Sequence, residues 1–231
     1  MNDQATVLRQ LVQRRLDNAL TDVRPPTLLT VASGKGGVGT TTIALNIAAA
    51  VAANGFRTVL VDADLRGGDV HQLCHIQSLY SVADVLAGRR SVHEVLASAP
   101  GGLQIVPGVW ALGEPADSSD AAQLRLLTEL RGLGEHADFV VIDAGAGLSR
   151  TAKLFWQSAD HVLVVTTPDP VAVMDSYAAI KVLVGGNFHL KIDALVNKAP
   201  DLETATDVQQ RLSQACRRLL ARDRSSAGRI R

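Results

Sequence analysis

The feature that most constrains the fold is a glycine-rich stretch at residues 33–42, Ser-Gly-Lys-Gly-Gly-Val-Gly-Thr-Thr-Thr, between an apolar strand-like run and an apolar helix-like run. Its glycines permit positive φ angles and let the backbone approach an anion closely. The N–H groups of such a loop, with the N-terminus of the helix that follows, form a nest for phosphate oxygens. The stretch therefore predicts a phosphate-binding loop in a nucleotide-binding α/β protein.

Apolar runs of strand length alternate with helical stretches along most of the chain. The strand-like runs lie at 27–32, 58–62, 103–106, 138–143, 161–166 and 190–196. The helical stretches lie at about 41–53, 81–97, 118–134, 149–158, 170–184 and 202–222. This alternation is typical of a doubly wound, mostly parallel sheet flanked by helices. We expect residues 27–231 to form one P-loop nucleotide-binding domain, with its ligand at the carboxyl ends of the strands.

Residues 1–23 follow a different pattern. Apolar side chains recur at helical spacing from Leu8 to Leu20, and charged and amide side chains occupy the other faces. Asp3 suits a helix N-cap, and the Pro25-Pro26 pair ends helical structure. The pattern predicts a helical arm over residues 1–23, joined to the domain by a short hinge.

Carboxylates follow two of the predicted strands. Asp62, Asp64 and Asp69 lie at and after the end of the run at 58–62, and Asp143 ends the run at 138–143. A carboxylate at such a strand tip can hold a Mg²⁺ shell, and Thr41 can place its hydroxyl on the same ion. A solvated acidic loop is the alternative for the first group.

Composition and charge exclude several classes of protein. Lys+Arg and Asp+Glu number 23 each, so no overall field favours nucleic acid, and no specific nucleic-acid partner is expected. Cys74 and Cys216 are too few for a disulfide framework and have no metal-ligand spacing. No apolar run approaches the roughly 18 residues of a membrane span. These features predict a cytoplasmic protein that is at most peripheral at the inner face of the cell membrane.

The loop resembles the deviant Walker A motif, x-K-G-G-x-G-K-[ST]-[ST], of the MinD/ParA superfamily of dimerising ATPases. The resemblance implies ATP or ADP with Mg²⁺ as cofactors and a nucleotide-dependent homodimer. It assigns catalytic roles to Lys35, which would reach the partner subunit's phosphates, and to Asp64, which would orient the attacking water. The metal residues would be Thr41, Asp62 and Asp143. The nucleotide-binding set would be Gly34, Lys35, Gly36, Gly37, Val38, Gly39, Thr40, Thr41, Thr42 and, at the adenine, Asn197.

Residues 3–9, Asp-Gln-Ala-Thr-Val-Leu-Arg, resemble the D-Q-A-x-x-L-R motif that precedes the ATPase domain in the FlhG family of MinD-like flagellar regulators. The stretch at 169–181 is also similar to that family. The resemblance implies that the arm engages an FlhF-like, SRP-type GTPase. The partner-binding residues would be Asp3, Gln4, Ala5, Leu8 and Arg9. An amphipathic helix that folds onto its own domain is the alternative.

Thr40 occupies the position of the second Walker A lysine, which normally neutralises β- and γ-phosphate charge. Its loss predicts weak or absent ATP hydrolysis. A threonine-type loop is also similar to the TadZ/CpaE localisation proteins, so a hydrolysis-deficient scaffold for pilus or polar assembly stays open as an alternative. The basic amphipathic stretch near the C-terminus permits either packing on the sheet or contact with anionic lipid.

Overall fold

The computed structural model describes residues 24–65, 67–109, 119–186 and 190–222. In these ranges the strands are β1 (Thr27–Ser33), β2 (Thr58–Asp62), β3 (Ala97–Ser98), β4 (Gln104–Val106), β5 (Phe139–Ala146), β6 (His161–Thr166) and β7 (Lys191–Val196). The helices are α1 (Thr40–Ala53), α2 (Val70–Leu73), α3 (Val82–Leu86), α4 (Val92–Val95), α5 (Asp120–Arg131), α6 (Arg150–Ser158), α7 (Pro170–Gly186) and α8 (Leu202–Arg222). Short 3₁₀ turns lie at Pro100–Gly102 and Gly132–Glu135. The arm predicted for residues 1–23 lies outside the described residues.

The strands form one sheet in the order β3-β4-β2-β5-β1-β6-β7. Every pairing is parallel except the short antiparallel contact of β3 with β4 at the edge. This confirms the predicted doubly wound, mostly parallel sheet. The chain crosses from one side of β1 to the other, so the crevice at the carboxyl end of β1 is where such folds bind ligands.

Helices cover both faces of the sheet because the central strands are apolar on both faces. Along β5, Val140 and Ile142 pack into the larger core cluster, whereas Val141 packs into the cluster beneath α1. Successive side chains of a strand point to opposite faces, so a continuous apolar run supplies both layers. Small residues such as Ala44 and Ala48 let α1 lie close to the sheet.

The single helix predicted over 81–97 is wrong in part. The structure has two short helices, α3 and α4, followed by β3. Gly88 has a φ of 69° after α3, a left-handed conformation that ends the helix. Ser91 then starts α4 with a capping box in which the Glu94 carboxylate accepts from the Ser91 N–H at 2.8 Å. Apolar periodicity continues across this break, so the sequence pattern alone did not reveal it.

No helix among the described residues is both long enough and apolar enough to cross a membrane. The longest one, α8, packs Val208 and Leu212 against Val173 of α7. The N-terminal part of the basic amphipathic stretch therefore packs on the domain. The side chains beyond Arg217 lie outside the described part of that helix.

Leu60 and Leu79 provide a matched pair for testing the core. Leu60 on β2 is fully buried, whereas Leu79 is 91% exposed. Leu60→Ala should lower the free energy of unfolding by about 2–5 kcal/mol, because it removes buried apolar surface and leaves a cavity. Leu79→Ala makes the same chemical change and should alter stability by less than about 0.5 kcal/mol. Urea denaturation measures both, and equal effects would contradict the sheet position of Leu60.

Candidate functional site

The glycine-rich loop lies between the end of β1 and the start of α1. Gly37 and Gly39 have φ angles of 77° and 99°, which residues other than glycine rarely adopt. Gly39 is the residue before the first turn of α1, and its carbonyl accepts from the Ile43 N–H at 3.0 Å. The loop thus lies at the N-terminus of a helix, with the backbone geometry that a phosphate nest requires.

Thr40 lies inside the loop and is hydrogen-bonded there. Its hydroxyl donates to Ser33 Oγ at 2.8 Å, and the Ser33 hydroxyl donates to the Lys35 carbonyl at 3.0 Å. Thr40 is 7% exposed and Ser33 is fully buried. A chain of two hydroxyls therefore stabilises the loop from within at the position where the resembling proteins have a lysine. Ser33 opens the motif, but no role was predicted for it from the sequence.

Lys35 is paired within its own chain. Its ammonium lies 2.7 Å from Asp169 Oδ2, just after β6, and both side chains are partly exposed. The hydrogen bond from Lys35 lowers the pKa of the Asp169 carboxyl, and the Val171 N–H, which donates to the same side chain, lowers it further. Asp169 was missed by the site prediction, and its position directly after a strand was the available signal.

Thr41 and Asp143 form the part of the site best suited to a divalent cation. The Thr41 hydroxyl is hydrogen-bonded to the Asp143 carboxylate, whose Oδ1 also accepts from the Gly145 N–H at 3.2 Å. Asp143 Oδ2 is buried and has no hydrogen-bond partner among the described residues. Burial raises the pKa of the Asp143 carboxyl, and the Thr41 and Gly145 contacts partly offset this. An unpartnered carboxylate oxygen beside a hydroxyl and a phosphate nest fits Mg²⁺, which takes few protein ligands.

No cluster of three or more metal-ligating side chains is found in the described ranges.

Asp62 is fully buried and is directed toward the backbone of the segment after β2. Its Oδ2 accepts from the Val70 N–H at 3.1 Å and its Oδ1 from the Asp64 N–H at 3.4 Å. Asp62 is also the register neighbour of Asp143 across the β2–β5 pair. Burial, and then the nearby Asp143 charge, raise the pKa of Asp62 to about 7. The structure places this predicted metal residue beside Asp143, with its oxygens engaged by backbone groups.

Asp64 lies against Gly145, near the end of β5. A side-chain carbon added at Gly145 would come within 2.6 Å of Asp64 Oδ2, so the two segments are in close contact. The next glycine, Gly147, donates its N–H to the Ser33 carbonyl at 2.9 Å. The end of β5 therefore contacts the predicted water-orienting carboxylate, and the residue directly after β5 is bonded to the strand that leads into the loop.

Asn197 directly follows β7, and its side chain contacts the backbone of the glycine-rich loop. Its amide Nδ2 donates to the Val38 carbonyl at 2.8 Å, and its backbone N–H donates to the Thr166 carbonyl at 2.8 Å. The next residue, Lys198, donates from its ammonium to the Gly37 carbonyl at 2.8 Å. The site prediction included Asn197 and gave Lys198 no role.

A groove of about 360 Å³ opens beside the loop. Its lining residues are Lys35, Gly36, Gly37, Val38, Thr167, Pro168, Asp169, Lys198 and Pro200. Thr42, the last residue of the predicted nucleotide-binding set, lies exposed in the first turn of α1. The predicted arm residues from Asp3 to Arg9 lie outside the described residues.

The amino-acid sequence is similar to a known protein family and to two flagellar proteins. The family described as an AAA domain matches residues 27–183. The chain is 30% identical over 198 residues to the antiactivator FleN of Pseudomonas aeruginosa, covering 86% of this chain and 71% of FleN. It is 30% identical over 183 residues to the flagellum site-determining protein YlxH of Helicobacter pylori, covering 79% of this chain and 62% of YlxH.

Among solved structures, the chain is similar in fold to the septum site-determining protein MinD of Pyrococcus horikoshii complexed with Mg-ADP. The TM-score is 0.65 at 23% sequence identity, covering 80% of this chain and 77% of that one. At this identity the likeness extends to the fold alone.

The pKa of Asp62 predicts a pH dependence of stability in metal-free protein. A folded pKa of about 7, above the ordinary 3.8, means that the folded state keeps a proton that the unfolded state has lost. Stability from this group is therefore full below about pH 4 and is lost as the pH rises toward 7. Asp62→Asn removes the titration, so its free energy of unfolding relative to wild type should rise by on the order of 2–4 kcal/mol between pH 4 and 8. Urea titrations in EDTA at several pH values measure this, and a pH-independent difference would contradict it.

Proposed function

We propose a function for this chain from the family to which it belongs, the MinD/ParA superfamily of P-loop ATPases, with the AAA-domain family matching residues 27–183. The protein is an ATP- and Mg²⁺-binding switch that regulates the number or placement of flagella. The flagellar part is supported by the similarity to FleN and to a flagellum site-determining protein. The nucleotide part is carried by the glycine-rich loop, in which Gly37 and Gly39 have positive φ angles just before the N-terminus of α1.

Different residues around the loop would bind the phosphates and the Mg²⁺ ion. The loop N–H groups and the N-terminus of α1 would bind phosphate oxygens, and Thr41 and Asp143 would hold Mg²⁺. The cation supplies neutralising charge between the phosphates when it is bound. Asp62 would support this pair from the neighbouring strand, and Asp64 would orient the attacking water.

Hydrolysis is expected to be weak. Thr40 carries no charge, and its hydroxyl is already committed to Ser33. Lys35, the remaining loop lysine, is paired with Asp169 in the isolated chain. Lys35 would have to leave Asp169 before it could reach phosphates across a nucleotide-dependent homodimer, and the transition state would lack the usual second ammonium.

The arm is the proposed output of the switch. Asp3, Gln4, Ala5, Leu8 and Arg9 would dock on an FlhF-like, SRP-type GTPase, since Gln and Arg are the side chains that position water and stabilise charge in GTP hydrolysis. In this scheme the protein is cytoplasmic, with a possible peripheral membrane contact through its basic C-terminal stretch. A second function, a hydrolysis-deficient TadZ/CpaE-like scaffold, is favoured by one observation, the buried position of Thr40.

Restoring the lysine distinguishes the two functions. Thr40→Lys should leave Mg-ATP binding intact and raise ATP turnover by about tenfold or more, since one preorganised donor is worth a factor of 10²–10³ in other enzymes. Thr206→Lys adds the same charge on the exposed side of α8 and should change nothing. Steady-state phosphate release and Mg-ATP binding measure both. Turnover in Thr40→Lys that is no higher than in wild type would contradict Thr40 as the cause of weak hydrolysis, and wild type that binds no nucleotide would contradict the switch.

The arm is tested on a partner GTPase. Gln4→Ala and Arg9→Ala should each lower stimulation of an FlhF-like GTPase by about tenfold or more, because each would remove a group that acts on the transferred phosphate. Arg15→Ala, a matched loss of one arginine from the same arm, should retain most of the stimulation. GTP hydrolysis rates with and without each variant measure the effect. An unchanged rate with both variants would contradict the proposed partner.

A further inference from the structure

Two consecutive residues after β7 contact two consecutive carbonyls of the glycine-rich loop. The Asn197 amide donates to the Val38 carbonyl and the Lys198 ammonium donates to the Gly37 carbonyl, each at 2.8 Å. We call Asn197 and Lys198 the strap.

The strap determines where the neighbouring N–H groups point. The described residues contain no cis peptide bond, and in a trans peptide the carbonyl and the N–H point in opposite directions. The Gly37 carbonyl shares its peptide with the Val38 N–H, and the Val38 carbonyl shares its peptide with the Gly39 N–H. Because both carbonyls are held toward the strap, both N–H groups are directed away from it.

Three features of the backbone and side chains hold the strap in its position against the loop. The Asn197 Oδ1 accepts from the Lys198 N–H at 2.9 Å, which fixes the orientation of the amide and turns its Nδ2 toward the loop. Lys198 has a φ of 56°, a conformation that is uncommon for residues other than glycine. A side-chain carbon at Gly39 would lie 2.5 Å from Asn197 Nδ2, so the glycine allows the close approach. These contacts are hard to explain as an incidental turn.

We infer that Asn197 and Lys198 are positioning residues that preset the loop N–H groups for phosphate. This inference rests on the proposed nucleotide binding and deepens it. The hydroxyl chain through Thr40 and Ser33 holds the Lys35 carbonyl, and the strap holds the carbonyls of Gly37 and Val38. The loop is thus held by three carbonyls before any ligand arrives.

This role differs from adenine recognition by Asn197. A base-reading side chain affects ligands that carry a base and leaves base-free polyphosphates alone. A strap affects every ligand that uses the loop N–H groups, with or without a base. Inorganic pyrophosphate with Mg²⁺ is therefore the discriminating probe.

The experiment compares Mg-pyrophosphate and Mg-ADP binding by calorimetry on the full chain. Asn197→Ala and Lys198→Met should weaken both ligands by the same factor, about 5- to 10-fold, and Lys198→Arg should recover most of the affinity. Lys191→Met is the matched control, because it removes an exposed lysine from the other end of β7. Thermal unfolding without ligand verifies that the variants are folded. In ¹⁵N relaxation of the ligand-free protein, the Val38 and Gly39 amides should become more mobile in the strap variants than in Lys191→Met.

Each result has a distinct meaning. Wild type that binds both ligands, with strap variants that bind them equally well and keep rigid loop amides, would overturn the strap and leave the proposed function standing. Loss of Mg-ADP affinity alone in Asn197→Ala would overturn the strap for Asn197 in favour of base reading. Wild type that binds neither ligand would overturn the proposed function and the inference together.

Discussion

The parallel pairing of β1 with β5 on one side and β6 on the other is the constraint on which the site depends. Parallel strands end at the same edge, so the segments after them meet there even though they are far apart in sequence. Ser33, Asp143 and Thr166 end or nearly end these three strands, and all three are fully buried. The loop after β1 is therefore surrounded by polar groups whose positions follow from the register of the sheet.

Burial at that edge also determines the electrostatics. Asp62 and Asp143 are register neighbours on adjacent strands, and both are withdrawn from water. Burial raises the pKa of both carboxyls, and the charge of Asp143 raises the pKa of Asp62 further. The two carboxyls therefore resist simultaneous ionisation. A divalent cation relieves this cost, so the same arrangement that destabilises the metal-free fold at neutral pH favours binding of the metal.

Most of the fold was predictable because its signals are local. The strand-like runs at 58–62 and 161–166 coincide with β2 and β6. A short apolar run between turn residues is too short for a buried helix and therefore indicates a buried strand. The break between α3 and α4 was missed, because a glycine in a left-handed conformation and a capping box interrupt the backbone while apolar periodicity continues.

The site was predictable only where residue type and position coincide. The loop glycines, Thr41 and Asp143 follow from the motif and from the strand tips. Ser33, Asp169 and Lys198 do not, because their roles arise from contacts between segments more than a hundred residues apart, or from a hydroxyl that any serine could offer. Only the folded chain shows that Thr40 is turned inward and that Lys35 has a partner.

The Lys35–Asp169 pair has one further consequence. The Asp169 carboxylate also accepts from the Val171 N–H at 2.7 Å at the start of α7, where the helix dipole favours negative charge. Asp169 would therefore remain well solvated and capped after the lysine departed, and an ion pair as exposed as this one contributes little to stability. The ion pair keeps the Lys35 ammonium close to the loop but holds it only weakly. A modest attraction from another anionic group is therefore enough to separate the lysine from Asp169.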